Sequence, residues 1–150
     1  MKYLRLSVLL VLTGVCILHA GEGGTSTDLD RMQGVWRVVS LVEKGKEVPA
    51  KELEELEIVI LKDAFSVSEK GKVAVEYRIK LDASKSPRAI DFIHQIGEDK
   101  GKTEPGIYAI EKEQLKFVMN EDRKGRPTVF EGKETAAYSV IVLKKKEAKK

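Results

Sequence analysis

Cysteine is all but missing: the only thiol of this 150-residue chain is Cys16, inside an N-terminal apolar run. With that run removed the chain has none, which excludes thiol catalysis, cysteine-rich zinc sites, redox work and internal disulfides. Histidine is scarce too. Of the two, His19 directly follows that run and goes with the same N-terminal segment, so His94 is the single imidazole left for acid–base or metal chemistry. Aromatic residues make up 6% of the chain and form no ladder among the basic residues on which bases could stack, so nucleic acid is not an expected partner.

The apolar run is read as a signal peptide. Lys2 and Arg5 precede an uncharged stretch from Leu6 to Leu18, too short for a bilayer span, and Leu18-His19-Ala20 before Gly21 ends it at a small residue. Residues 1–20 are expected to be cleaved after Ala20, leaving an exported protein, periplasmic or secreted, with no stable membrane insertion. A lipoprotein anchored through Cys16 is not expected, because Val15 is bulky where the lipoprotein peptidase needs a small residue. About 130 residues remain, enough for one domain with its own core. Removing Lys2 and Arg5 from 27 basic residues leaves 25 against 24 acidic, a near-neutral balance. Five lysines between Lys144 and Lys150 read as a frayed, solubilising end.

The dominant period is two. Val73, Val75, Tyr77, Ile79 and Leu81 alternate with Ala74, Glu76, Arg78 and Lys80, the pattern of a strand with one buried and one wet face. Leu115, Phe117 and Met119 repeat it, as do Tyr138, Val140 and Val142 against Ser139, Ile141 and Leu143. Turn signals such as Lys44-Gly45, Lys62-Asp63, Lys70-Gly71 and Lys124-Gly125 divide the runs. The pattern predicts eight strands, near 34–43, 57–62, 64–69, 72–82, 88–96, 105–111, 114–120 and 136–144. Short strands at this spacing argue for an antiparallel meander closed into a barrel or folded into a sandwich. One short helix is expected, started by Pro49 and carrying Leu53 and Leu56 on its apolar edge. The organisation read from this is a signal peptide at 1–20, a flexible leader at 21–28, one β domain at 29–146 and a basic tail at 147–150.

None of the chemical constellations carries a catalytic reading. Gly97-Glu98-Asp99-Lys100-Gly101-Lys102-Thr103 approaches a phosphate-binding P-loop, but it is one residue short and Glu104-Pro105-Gly106 follow where a helix must begin. It reads as a solvated hairpin loop. His94 shares a strand face with Ile90, Phe92 and Ile96, and no nucleophile-elbow motif supplies it with a serine. It reads as a hydrogen-bonded histidine in the core or at the rim. The carboxylates from Glu52 to Glu57 and the pair Glu121-Asp122 read as charged surface. No catalytic residue, metal or cofactor is expected; a hydrolase is the one enzymatic alternative.

Gly34-Val35-Trp36, holding the only Trp, stands at the start of the first strand. This Gly-x-Trp is similar to that of lipocalins and their small-barrel relatives, in which the Trp closes the barrel floor and a late arginine stacks on its ring. Leu29 and Met32-Gln33 precede it; Gly45-Lys46-Glu47-Val48-Pro49, Leu81-Asp82, Ser86-Pro87-Arg88-Ala89-Ile90-Asp91, Lys100-Gly101-Lys102-Thr103, Gly106-Ile107-Tyr108, Leu115-Lys116 and Arg126-Pro127-Thr128-Val129-Phe130 follow. In that order and at these spacings, residues 28–146 resemble a family of small exported lipocalin-like domains of unknown function, abundant in planctomycete bacteria. Val118-Met119 stand where that family has a cysteine-containing pair, and Val129 stands where it has glutamate.

The resemblance implies a single antiparallel eight-stranded meander barrel of lipocalin type. Trp36, Val38, Val75, Tyr77, Ile79, Tyr108, Phe117 and Val140 are expected to point inward. Gly34, Trp36 and Arg126 would form the floor motif, with Arg123 as the substitute cation. Trp36, Tyr77, His94, Tyr108 and Phe117 are the candidate ligand contacts. Two functions follow: a calyx for a small apolar molecule, or a filled barrel that binds an exported protein through its loops, as small inhibitor barrels do.

Overall fold

A computed structural model of the chain describes residues 27–131 and 137–147. The expected signal peptide, residues 21–26 of the leader and residues 148–150 of the tail lie outside the described residues. The elements, in chain order, are α1 (Asp28–Met32), β1 (Gly34–Glu43), β2 (Lys46–Glu47), α2 (Ala50–Leu53), β3 (Leu56–Leu61), β4 (Ala64–Glu69), β5 (Lys72–Asp82), β6 (Ala89–His94), β7 (Thr103–Glu111), β8 (Gln114–Asn120) and β9 (Tyr138–Lys145). From β3 onward each strand pairs antiparallel with the next, and β1 pairs with β3 on one side and β9 on the other. That second pairing closes an eight-stranded barrel, with β2 a short stub beside the end of β1. A barrel of this strand number has an interior just wide enough to be filled by side chains or to hold one small ligand.

Four of the expected strands have the predicted bounds, and the others shift by one to two residues at an end. Tight turns account for this precision: Lys44, Lys62, Lys70 and Lys112 all take positive φ in two-residue turns, so these loops reverse the chain at once. Strand β6 ends earlier than expected, at His94, and Ile96 lies in the following loop, 40% exposed. Val140 faces outward, contrary to its expected place; Ser139, Ile141 and Leu143 take the inner positions of β9. Val140 is buried all the same, in an outer cluster with Ile107 and Val118, against which Phe130 packs from the long β8–β9 connection.

Two short helices form where one was expected. In α2, Pro49 occupies the N-cap and Leu53 reaches the core, while Leu56 already belongs to β3. The unforeseen α1 takes in Asp28, which the sequence reading left in the leader. Thr27 and Asp30 form a capping box: Thr27 Oγ accepts from the Asp30 amide, and the Asp30 carboxylate accepts from the Thr27 amide at 2.9 Å. Helix α1 stoppers the lower end of the barrel. Met32 is fully buried and its carbonyl accepts from Trp36 Nε1 at 2.8 Å, while Asp28 accepts from the Tyr108 hydroxyl at 2.8 Å and from Arg88 at 3.0 Å. The Gln33 amide ties the helix to the β3–β4 turn, donating to the Lys62 carbonyl at 3.0 Å and accepting from the Lys62 N–H at 2.6 Å.

The cation over Trp36 is Lys145, whose Nζ lies 5.5 Å from the ring centroid. Arg126, the expected partner, instead donates to the carbonyls of Ile90 and Gly106 and to the Asp91 carboxylate. The reason is register. β9 runs through Lys145, so that Lys145 stands opposite Trp36, and the basic end read as frayed begins as the last residues of a strand. Gly34 completes the arrangement: a Cβ there would come 3.3 Å from Lys145 Cε, at a φ of +126°. The Gly-x-Trp motif thus leaves room for the lysine that covers the indole.

Candidate functional site

The two halves of the barrel differ. Below, the interior is solid. Phe92 is fully buried and meets Phe65 at 5.4 Å, Tyr77 at 5.5 Å and Phe117 at 5.7 Å, all edge-on, the geometry aromatic quadrupoles favour. Above that layer the barrel opens into a cavity of about 600 Å³. Leu41, Leu56, Val67, Val75, Met119 and Ile141 supply its apolar wall, with Phe65 and Tyr77 at its base. Its polar lining comes from Glu43, Glu69, Asp99, Glu104, Glu121, Arg123 and Ser139, on strand ends and loops at this one mouth.

Glu104 is the centre of the polar network. Alternation back from Tyr108 through Gly106 places it on the inner face, and only 6% of it is exposed. A carboxylate buried this deeply must be compensated. His94 Nε2 is 2.8 Å from Oε1, Arg123 Nη2 is 3.5 Å from the same oxygen, and the Tyr77 hydroxyl stands 3.5 Å from Oε2. His94 Nε2 is thus the ring nitrogen that faces the carboxyl group. Burial, then the nearby carboxylates of Glu104 and Glu121, push the Tyr77 phenol well above its ordinary pKa.

Arg123 bridges Glu104 to Asp99, at 3.1 Å from the latter. Its placement is local: Asn120 accepts from the Asp122 amide and donates to the Gly125 carbonyl, bending the turn so that Arg123 takes a φ of +62°. Asp99 also accepts from Lys102 at 2.7 Å, and the two cations hold its carboxyl below the usual range, Lys102 contributing most. The loop that approaches a P-loop in sequence is thus the β6–β7 hairpin loop, with Lys102 turned to its own Asp99. Glu121, read from sequence as surface, accepts from the Ser139 hydroxyl.

Of the five candidate ligand contacts, Tyr77 lines the cavity and His94 stands directly behind Glu104. Trp36, Tyr108 and Phe117 belong to the filled half. Sequence reasoning missed Glu104 because it began β7 at 105, one residue past it. It missed Arg123 as a site residue by holding it in reserve for the indole. A second concavity, of about 340 Å³, lies on the outer surface between the β5–β6 loop and Arg126, but Arg126 and Asp91 already satisfy each other there. Among the described residues no helix is long and apolar enough to cross a membrane. Comparisons with protein-family models, with curated proteins and with solved structures found no match.

Proposed function

We propose that this protein is a binding calyx that takes a small, largely apolar molecule into the upper half of the barrel. The observation that carries the reading is the cavity itself. Its volume falls in the range typical of small-molecule sites, roughly 300 to 1,000 Å³, and it combines an apolar wall with a few convergent polar groups. The filled lower half and the α1 stopper give that wall a rigid base, so little ordering is needed on binding. Binding rather than catalysis is supported by the pairing of the reactive groups: the Ser139 hydroxyl is held by Glu121 and His94 by Glu104, as two separate pairs. Export after cleavage at Ala20, and kinship with the lipocalin-like family abundant in planctomycete bacteria, belong to the same proposal and rest on the sequence features given above.

Native mass spectrometry of the protein purified gently from its own host tests this. The calyx reading expects a reproducible added mass of a few hundred daltons that disappears on denaturation. A bare polypeptide mass, together with failure to bind any apolar probe stoichiometrically, would overturn it and favour a protein-binding module acting through its loops.

A further inference from the structure

The cavity is electrically lopsided. Glu43, Glu69, Asp99, Glu104 and Glu121 line it against a single guanidinium, Arg123. Arg123 is shared between Asp99 and Glu104, and Lys102 from the rim is taken up by Asp99. Glu43 and Glu69 stand opposite Lys46 and Lys72 in the strand register but, among the described residues, have no cation within ion-pair distance, and the one side-chain partner of Glu121 among the described residues is the Ser139 hydroxyl. Glu43 and Glu69 form an exposed outer rim, while Asp99 and Glu121 are half-buried and Glu104 is buried, around an apolar hollow with a closed base whose low-dielectric walls focus the field.

We propose that the ligand of this site is an amphiphilic cation: an alkyl or aryl body seated on Phe65, Val67, Val75 and Ile141, with an ammonium or guanidinium head among the mouth carboxylates. This rests on the calyx reading and adds the chemical class of its ligand. A carboxylate or sulfate amphiphile of equal length would meet the same apolar wall but the wrong sign of charge, and would have to compete with Glu104 for Arg123.

The test is isothermal titration calorimetry of the purified chain at low ionic strength with three probes of one chain length: decyltrimethylammonium, decanol and decanoate, each below its micellar concentration. The expected order is cation, then alcohol, then anion, with the cation about fivefold or more tighter than the alcohol, a modest preference for a mouth of five carboxylates against two cations, partly screened by water. Replacing the two exposed rim carboxylates that are in no ion pair, E43Q together with E69Q, should shrink the cation-over-alcohol ratio by about twofold, and added salt should shrink it too. Decanol binding as tightly as the cation would overturn the charge assignment and leave the calyx standing. Decanoate binding tightest would overturn it in favour of Arg123 as an anion anchor. No heat with any of the three would remove the calyx reading, and this inference with it.

Discussion

Phe92 should be the most expensive side chain to remove from the filled half of the barrel. It is fully buried and makes three edge-on aromatic contacts, to Phe65, Tyr77 and Phe117, all within 5.7 Å. Truncation to alanine removes its transfer free energy and leaves a void that strands tied on both sides cannot collapse into, for a typical total of about 3 to 5 kcal/mol. Each aromatic pair carries about 0.5 to 1.5 kcal/mol beyond area burial, so Phe92→Ala belongs near the top of that range. Against a total stability on the order of 5 to 15 kcal/mol, that is a third or more of the whole. Trp36 is the only indole and is 1% exposed, so its fluorescence reports unfolding directly. In urea, with m of roughly 1.5 to 2 kcal/mol/M, the midpoint should fall by about 2 to 3 M. Val73→Ala, at a position 55% exposed, should stay within about 0.5 kcal/mol of the parent. A loss below about 2 kcal/mol for Phe92→Ala would refute the reasoning, because it would mean that the lower half is not close-packed and that the void simply joins the mouth cavity.

Gly106→Ala should destabilise by about 1 to 3 kcal/mol through overpacking, since its Cβ would lie 2.6 Å from the Val118 carbonyl oxygen of the paired strand and crowd Phe92; a parent-like urea midpoint would show that β7 and β8 are further apart there. Alkali should act through Tyr77 and Tyr108, both pushed above the ordinary phenol value of about 10, first by burial and then by Glu104 at Tyr77 and by the Asp28 hydrogen bond at Tyr108. A phenol raised in the native state keeps its proton longer than in the unfolded chain, so this stability is complete below pH ~10 and is lost as pH climbs towards the native values. Phenolate absorbance from these two should therefore appear together with the loss of native Trp36 fluorescence. Titration of either near pH 10 in an intact fold would contradict the burial argument.

The barrel was legible in sequence because period-two alternation and turn residues are local signals, and the β3–β4, β4–β5 and β7–β8 hairpins are each closed by a tight two-residue turn. What alternation fixes is which residues share a face, and it leaves open which face is the inside. Val140 shows this: its alternation with Ser139 and Ile141 was read correctly, yet the outer face of β7, β8 and β9 is also apolar, since Phe130 and its neighbours cover it. Helix α1 escaped because it has five residues and its warrant is tertiary, a hydrogen bond from Trp36 and an ion pair from Arg88.

The site was the least legible part, for a physical reason. Its members, Asp99, Glu104, Glu121, Arg123 and Ser139, sit at strand ends or in the loops beyond them, where a boundary error of one residue turns an inward carboxylate into a loop charge. Tyr77 was found because it lies within β5, flanked by Val75 and Ile79, and His94 because Ile90 and Phe92 before it in β6 fix its side of the sheet. Glu104 follows from the same rule once β7 is begun at Thr103 rather than at 105, and its position brings His94 and Arg123 with it, since a carboxylate on the inner face needs compensation there. In a small barrel the inward positions nearest the strand ends are thus where polar residues signal a mouth. The same residue types four positions further along a strand, on the same inner face, would have no water or ligand to meet.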